Sequence, residues 1–419
     1  MGLVTQHRRL EVASEVYLML HVRFFSALSR TVGDRLETCP ILRCFCGFPT
    51  DLDRWQRRCD RLTQLQRRIR FPPLQVIAVD GKDVKLPLPA VEAARSPSQE
   101  ELEYLVGFFD GDGCVTMNKQ TGEMRLMIGQ NVDSAEVLLH FRSLLGGSVC
   151  RQSASTGSKR AKVQWRVCGS KMTAAAETLS RVPSIKRAQL LLAIQGTIPK
   201  NNRATVAGDL QVFKQRQHVP DQRAECSWSY FAGFFDAEGS ILICPTSTSL
   251  RLEVKQVNPC MLVHLLRFLG ENRLQGWSLH HHAYSALVCN NLRDCKQTLE
   301  LLIANGLLVK GKQAELDPKL HVENHLRIRD AISSLKGLQG RYTRLDKDDI
   351  ARAREIQSLR MRLRYISAPE QAALLSQIEK LRAEHNLQKL ITRCSLLRKD
   401  LRQSLRQGGQ VVSPINCYA

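Results

Sequence analysis

A chain of 419 residues is long enough for two or three domains and a sizeable core. Its formal net charge of +21, with a pI near 9.7, points to a polyanionic partner, most simply nucleic acid. The 14 cysteines form no repeating framework, which excludes a disulfide-dense scaffold, and no stretch is long and apolar enough to span a membrane.

The cysteine pattern fits buried thiols in a reducing compartment, and the sequence leaves open which intracellular compartment, nucleus or organelle, that is. Arginine outnumbers lysine 42 to 19. Arginine suits bidentate phosphate and guanine contacts, although GC-rich coding accounts for more of the bias.

Residues 1–100 read as an N-terminal extension of unassigned role. Arg8, Arg9, Arg23 and Arg30 are offset by Glu11 and Glu15, so a transit peptide has little support. Cys39, Cys44, Cys46 and Cys59 lack paired CxxC spacing, which argues against structural zinc. Trp55 to Arg70 is an arginine-rich helical stretch stopped by Phe71-Pro72-Pro73, and Leu74 to Val79 follows as a short strand. Ser96 to Glu100 makes a linker and helix start.

Residues 101–220 and 227–325 read as two diverged copies of one αββαββα unit. In the first, strands Cys114–Asn118 and Arg125–Gln130 flank a Thr121-Gly122 turn. A helix over Asp133–Leu145 is stopped by Gly146-Gly147. Strands Ser148–Gln152 and Val163–Cys168 follow, then helices Lys171–Leu179 and Ile185–Gln195. The second copy repeats the order with strands Ser240–Cys244, Arg251–Gln256, Ser278–His282 and Ser285–Cys289. Its helices run over Pro259–Leu269 and Arg293–Ile303, and again from Lys312.

Residues 330–419 are helical and the most basic region, with eight net positive charges. Ile356, Leu359, Leu363 and Ile366 form one apolar stripe, and Leu374, Ile378 and Leu381 another. Ser367 and Glu370 have capping-box spacing. The stripes favour a helical hairpin packed on the body or on another subunit over an accessory nucleic-acid-binding tail. Residues from Gln407 onward read as disordered.

Each αββαββα unit opens with the same phrase. The first is Leu105-Val106-Gly107-Phe108-Phe109-Asp110-Gly111-Asp112-Gly113, and the second is Phe231-Ala232-Gly233-Phe234-Phe235-Asp236-Ala237-Glu238-Gly239. Each follows a tyrosine, Tyr104 or Tyr230. Gly107 and Gly233 sit mid-helix, where glycine costs about 1 kcal/mol relative to alanine. Close packing of two helix backbones accounts for that cost. Asp112 and Glu238 then occupy the last helical turns, where a carboxylate opposes the macrodipole. A divalent cation reverses the penalty, and two such acids at one joint suit Mg²⁺. Gly113 and Gly239 permit the turn into the first strand.

These residues resemble the LAGLIDADG homing endonucleases, specifically the single-chain members with two motif copies. The resemblance covers residues 101–325. It implies an α+β fold of two pseudo-symmetric αββαββα half-domains, whose β-saddle lies on duplex DNA, with N-terminal and basic helical C-terminal extensions. It implies a monomer, because one chain carries both half-sites. It also implies that Asp112 and Glu238 are metal ligands, that Gln130 and Gln256 lie near the attacking water, and that Lys310 steadies the phosphate. Asp110 and Asp236 match an acid with a mainly structural role.

By residue offset the first-copy counterpart of Lys310 is Ser184, with Lys186 two residues on. The second half-site therefore reads as better equipped than the first, with Lys186 as a substitute. Strand alternation nominates Arg125, Lys162, Gln164, Arg166, Arg251, Glu253, Lys255, His280 and His282 for the DNA face, beside Asn118 and Lys119. His280-His281-His282 alternate across a strand and do not form a single metal site.

The implied activity is Mg²⁺-dependent cleavage of both strands at a long, pseudo-palindromic duplex site. The alternatives are an RNA-binding maturase acting on structured intron RNA, and a DNA-binding protein that has lost cleavage. The two retained acids disfavour the last. The junctions expected of protein splicing are missing.

Overall fold

The computed structural model describes residues 49–79, 81–215, 226–244, 249–281, 284–316, 320–321, 323–335, 342 and 344–412. The chain divides into two compact units, residues 1–58 and 59–419. Of the first, 49–58 are described, and all are helical.

The N-terminal elements are helix α1 (Pro49–Arg67) and strands β1 (Ile69–Arg70), β2 (Val76–Val79), β3 (Lys82–Lys85) and β4 (Leu88–Val91). The first αββαββα half follows as α2 (Gln99–Asp112), β5 (Gly113–Met117), β6 (Met124–Asn131), α3 (Ala135–Leu145), β7 (Gly147–Ser153), β8 (Lys162–Cys168), α4 (Ser170–Leu179) and α5 (Arg187–Ile194). Helix α6 (Arg203–Phe213) leads toward the second half. That half is α7 (Trp228–Glu238), β9 (Gly239–Ile243), β10 (Leu250–Gln256), α8 (Cys260–Glu271), β11 (Trp277–His281), β12 (Ser285–Cys289), α9 (Leu292–Ala304) and α10 (Gly311–Ala314).

The two sheets share one antiparallel topology. The second has the order β11-β12-β10-β9. The first has the matching order β7-β8-β6-β5, with β4 added beside β7. That fifth strand comes from the segment expected to belong to the extension. Pro89 within it is tolerated because β4 lies at a sheet edge.

Burial alternates along the first sheet as the period-2 pattern requires. Leu126, Ile128, Val163, Trp165 and Val167 are buried under helices, and the intervening residues form an open face. Trp165 meets Phe141 at 5.2 Å, and its indole N–H donates to the Gly146 carbonyl at 2.8 Å. One apolar core runs through both halves, joined at Tyr104, Phe108, Tyr230 and Phe234.

The C-terminal region forms helices α11 (His325–Leu335), α12 (Lys347–Arg362) and α13 (Ala368–Arg406). Helices α12 and α13 pack as a hairpin around Ile356, Leu359 and Ile378, with Leu374 and Leu381 against them. A capping box not expected from the sequence starts α12, where Asp346 accepts from the Asp349 amide at 2.8 Å. Ser367 does stand at the N-cap of α13, but its hydroxyl donates to Glu370 at 3.1 Å rather than accepting from the backbone.

Two expectations need correction. Residues 407–412 are ordered, and Gln410–Val411 (β13) pairs antiparallel with β1. Cys59 is not a free buried thiol, because it forms a disulfide with Cys394. Nearby, Gln66 donates to the Tyr342 hydroxyl at 2.5 Å, and Tyr342 donates to Asp400. The two ends of the 59–412 segment are thus clasped together. The clasp rests on the β7–β8 loop, where Gly157 N–H donates to the Ile69 carbonyl at 3.0 Å. Cys39, Cys44, Cys46 and residues 413–419 lie outside the described residues.

Candidate active site at the paired helix tips

Helices α2 and α7 pack against each other through their glycines. A Cβ on Gly107 would lie 2.1 Å from the Tyr230 carbonyl oxygen, and one on Gly233 would lie 2.0 Å from the Tyr104 carbonyl oxygen. Neither gap admits a side chain, so the mid-helix glycines set the axial separation. Gly113 and Gly239 have ordinary backbone angles, φ −71° and −74°. Their need for hydrogen is steric, since a Cβ there would meet the Phe109 or Phe235 ring at 2.4 and 2.5 Å.

This close approach brings the two helix tips together. Gln130 Nε2 donates to Asp112 Oδ2 at 2.5 Å, and Gln256 Nε2 donates to Glu238 Oε1 at 2.7 Å. Burial pushes both carboxyls above their usual range. The Asp112 charge pushes Glu238 further up, while Lys186 and Lys310 pull both down. Asp112 remains solvent-accessible by area, although protein crowds it on several sides.

The lysines correct the expectation of unequal half-sites. Lys186 Nζ donates to the Phe109, Gly111 and Gly113 carbonyls at 2.8, 3.1 and 2.6 Å. Lys310 Nζ donates to the Phe235 carbonyl at 2.9 Å and to that of Asp236. Each ammonium therefore sits on the negative end of its own motif helix, where a cation is favoured. Lys186, not Ser184, is the counterpart of Lys310. Ser184 instead serves the neighbouring acid, its hydroxyl donating to Asp110 at 2.6 Å.

Asp110 and Asp236 hold the segments that carry these lysines. Asp110 accepts from the amides of Ile185 and Lys186 at 3.1 and 3.2 Å. Asp236 accepts from the amides of Leu308, Val309 and Lys310 at 2.7, 2.9 and 2.7 Å. Burial raises both acids, and these donors offset part of the rise.

An open cavity of about 270 Å³ lies between the two tips, lined by Cys114, Lys186 and Lys214 of the first half and by Glu238 and Gln256 of the second, among others. Lys214 was not expected from the sequence. It follows α6, and its Nζ donates to the Val115 carbonyl at 2.7 Å. Lys336, which follows α11 as Lys214 follows α6, lies outside the described residues.

The donor set fits a hard divalent cation: two crowded carboxylates at carbonyl-rich helix ends, with no sulfur or imidazole ligand. Among the described residues no group of three or more acidic, histidine or cysteine side chains converges as a metal site. An ion here would complete its shell from water, backbone and substrate oxygens.

The open face of the first sheet carries exposed Lys162 and Arg166, with half-buried Gln164 and Arg125. Register places Arg166 opposite Met127 and Ser148, and Lys162 opposite Asn131. Arg125 is held by Glu123 at 2.6 Å. Asn118 caps its own turn, accepting from the Gln120 amide at 2.9 Å, while Lys119 beside it is exposed.

The second face differs. Glu253 is 6% exposed and bridges Arg251 and Lys255 at 3.0 and 2.8 Å. It is therefore a buried neutralising acid rather than a free reading group. His280 is exposed on β11, and His282 lies outside the described residues.

Two αββαββα halves joined by glycine-packed helices, with an acid at each tip, make the architecture that the LAGLIDADG resemblance implies. No family model and no curated protein matches the sequence. Among solved structures, the LAGLIDADG homing endonuclease I-GzeII in complex with its DNA target matches at 15% identity, covering 56% of this chain and 96% of that chain, TM-score 0.41. Meganuclease I-SmaMI bound to uncleaveable DNA matches at 14% identity over 57% of this chain and 98% of that chain, TM-score 0.41. LAGLIDADG meganuclease I-AabMI bound to uncleaved DNA matches at 18% identity over 57% and 93%, TM-score 0.40. Among the described residues no helix is long and apolar enough to cross a membrane.

Proposed function

We propose that the protein is a LAGLIDADG-type, divalent-metal-dependent endonuclease that hydrolyses both strands of duplex DNA at a specific site. The observation that carries this reading is the pairing of Asp112 and Glu238 at adjoining helix tips. Each is gripped by a glutamine and each has a lysine at its helix end.

Asp112 and Glu238 would hold Mg²⁺, which supplies charge neutralisation at the phosphate and a more acidic water. Gln130 and Gln256 orient the carboxylates and lie where an attacking water would be held. Lys186 and Lys310 place positive charge beside the developing negative charge of the phosphate. Lys214 adds a second cation at the first tip. The two open sheet faces supply the DNA-binding saddle, with Lys162, Gln164 and Arg166 on one side and Arg251, Lys255 and His280 on the other. Residues 101–220 and 227–325 then form the two half-domains, flanked by the N- and C-terminal extensions.

The test is incubation of purified protein with a library of duplex targets and Mg²⁺. The expected result is cleavage of both strands that is abolished by chelation and by Asp112→Asn or Glu238→Gln. Tight, selective binding of structured intron RNA with no duplex cleavage would establish the maturase reading instead.

A further inference from the structure

The two half-sites are not set independently. The Tyr104 hydroxyl, from the first half, donates to Asp236 Oδ2 of the second half at 2.8 Å. The Tyr230 hydroxyl, from the second half, donates to Asp110 Oδ2 of the first at 2.6 Å. Both tyrosines and both aspartates are buried, at 4%, 0%, 1% and 3% exposure for Tyr104, Tyr230, Asp110 and Asp236. Each aspartate thus accepts four hydrogen bonds. Three come from its own lysine-bearing segment, and the fourth crosses from the other half.

We infer that Tyr104 and Tyr230 are positioning residues acting in trans. Tyr104 sets Lys310 through Asp236, and Tyr230 sets Lys186 through Asp110. This rests on the endonuclease reading, with one lysine serving each strand.

A carboxylate in water-free surroundings turns toward whichever donors it has. With the tyrosine donor present, Oδ2 of Asp236 is shared between the Tyr104 hydroxyl and the Leu308 and Val309 amides, while Oδ1 takes the Lys310 amide. Removing the hydroxyl leaves Asp236 held from one side only. The Lys310 segment then follows the carboxylate. The defect therefore appears in the half that was not altered. The arrangement also makes lysine placement depend on the two halves being seated together, because each tyrosine reaches its aspartate only across the α2–α7 contact.

The experiment compares four variants of the full chain by strand-resolved nicking of a supercoiled plasmid carrying the target site. Lys310→Ala and Lys186→Ala define which strand each lysine serves. Tyr104→Phe is expected to slow the strand slowed by Lys310→Ala, and Tyr230→Phe the strand slowed by Lys186→Ala, each by about 10- to 100-fold. Rates are compared below the melting onset of each variant, because general loosening would slow both strands alike. Equal slowing of both strands, or slowing of the strand served by the lysine of the tyrosine's own half, would overturn the inference. Wild-type protein that nicks neither strand overturns the endonuclease reading itself and is thereby distinguished.

Discussion

Replacing Gly107 by alanine separates close helix packing from helix propensity, because the two predict opposite signs. Propensity alone favours alanine in a helix interior by about 1 kcal/mol. In the folded protein the new Cβ would meet the Tyr230 carbonyl oxygen at 2.1 Å, its carbon at 2.9 Å and the Phe234 amide nitrogen at 3.1 Å. All three are backbone atoms of a buried helix, so no rotamer change relieves them. Reaching an ordinary contact requires the helices to part by about 1 Å, and overpacking of this kind costs about 1–3 kcal/mol or more. Gly107→Ala should therefore lower the melting temperature by several degrees and weaken Mg²⁺-dependent cleavage through the displaced Asp112. Gly208 supplies the control. It lies inside α6, and a Cβ there would meet nothing within 4 Å, so Gly208→Ala should leave stability unchanged or slightly raised. A thermal-melt comparison decides the matter. If Gly107→Ala is as stable as Gly208→Ala, the packing argument fails.

Two further predictions concern charge. Because the pKa values of Asp112 and Glu238 are both raised in the metal-free protein, their ionisation opposes folding above those values. The penalty fades as pH falls through the raised folded values, and it is gone below the unfolded values of about 4. Asp112→Asn should thus melt higher than wild type at neutral pH, with the gain shrinking in acid, while Mg²⁺ should raise the melting temperature of wild type more than that of the variant; a pH-independent difference would contradict this. On the second sheet, Glu253→Gln should release Arg251 and Lys255 for phosphates. Binding to non-specific duplex should then tighten, and the slope of log K against log salt should steepen by about one to two units, as expected for one or two added phosphate contacts; an unchanged slope would show that those cations do not face the duplex.

Much of this fold is written in residue types. The period-2 runs from Arg125 to Gln130 and Val163 to Cys168 coincide with β6 and β8 almost to the residue. The glycine–acid phrase located both interface helices and their tips. What escaped had a physical reason. The lysine equivalence was misjudged because a constant offset counts residues, whereas the place of a lysine is fixed by which amides its aspartate accepts. Lys186 and Lys310 are 124 positions apart rather than 126. Strand β4 escaped because Pro89 interrupts it, and only its place at a sheet edge makes that harmless. Lys214 escaped because it follows α6, a helix that lies beyond the αββαββα unit read from the repeat. The trans hydrogen bonds need three-dimensional proximity, although a tyrosine before each phrase was visible all along.

The clasp between β1 and β13, reinforced by Cys59–Cys394, gives the chain a ring-like connectivity. The second half leaves the first through the connection after α6 and returns, through α13, to the first half's β7–β8 loop. A single backbone cut between the halves would therefore leave two fragments still joined at two separate places, the α2–α7 seam and the terminal clasp. The two halves behave as a belt and its buckle, and opening either fastening alone does not release the other.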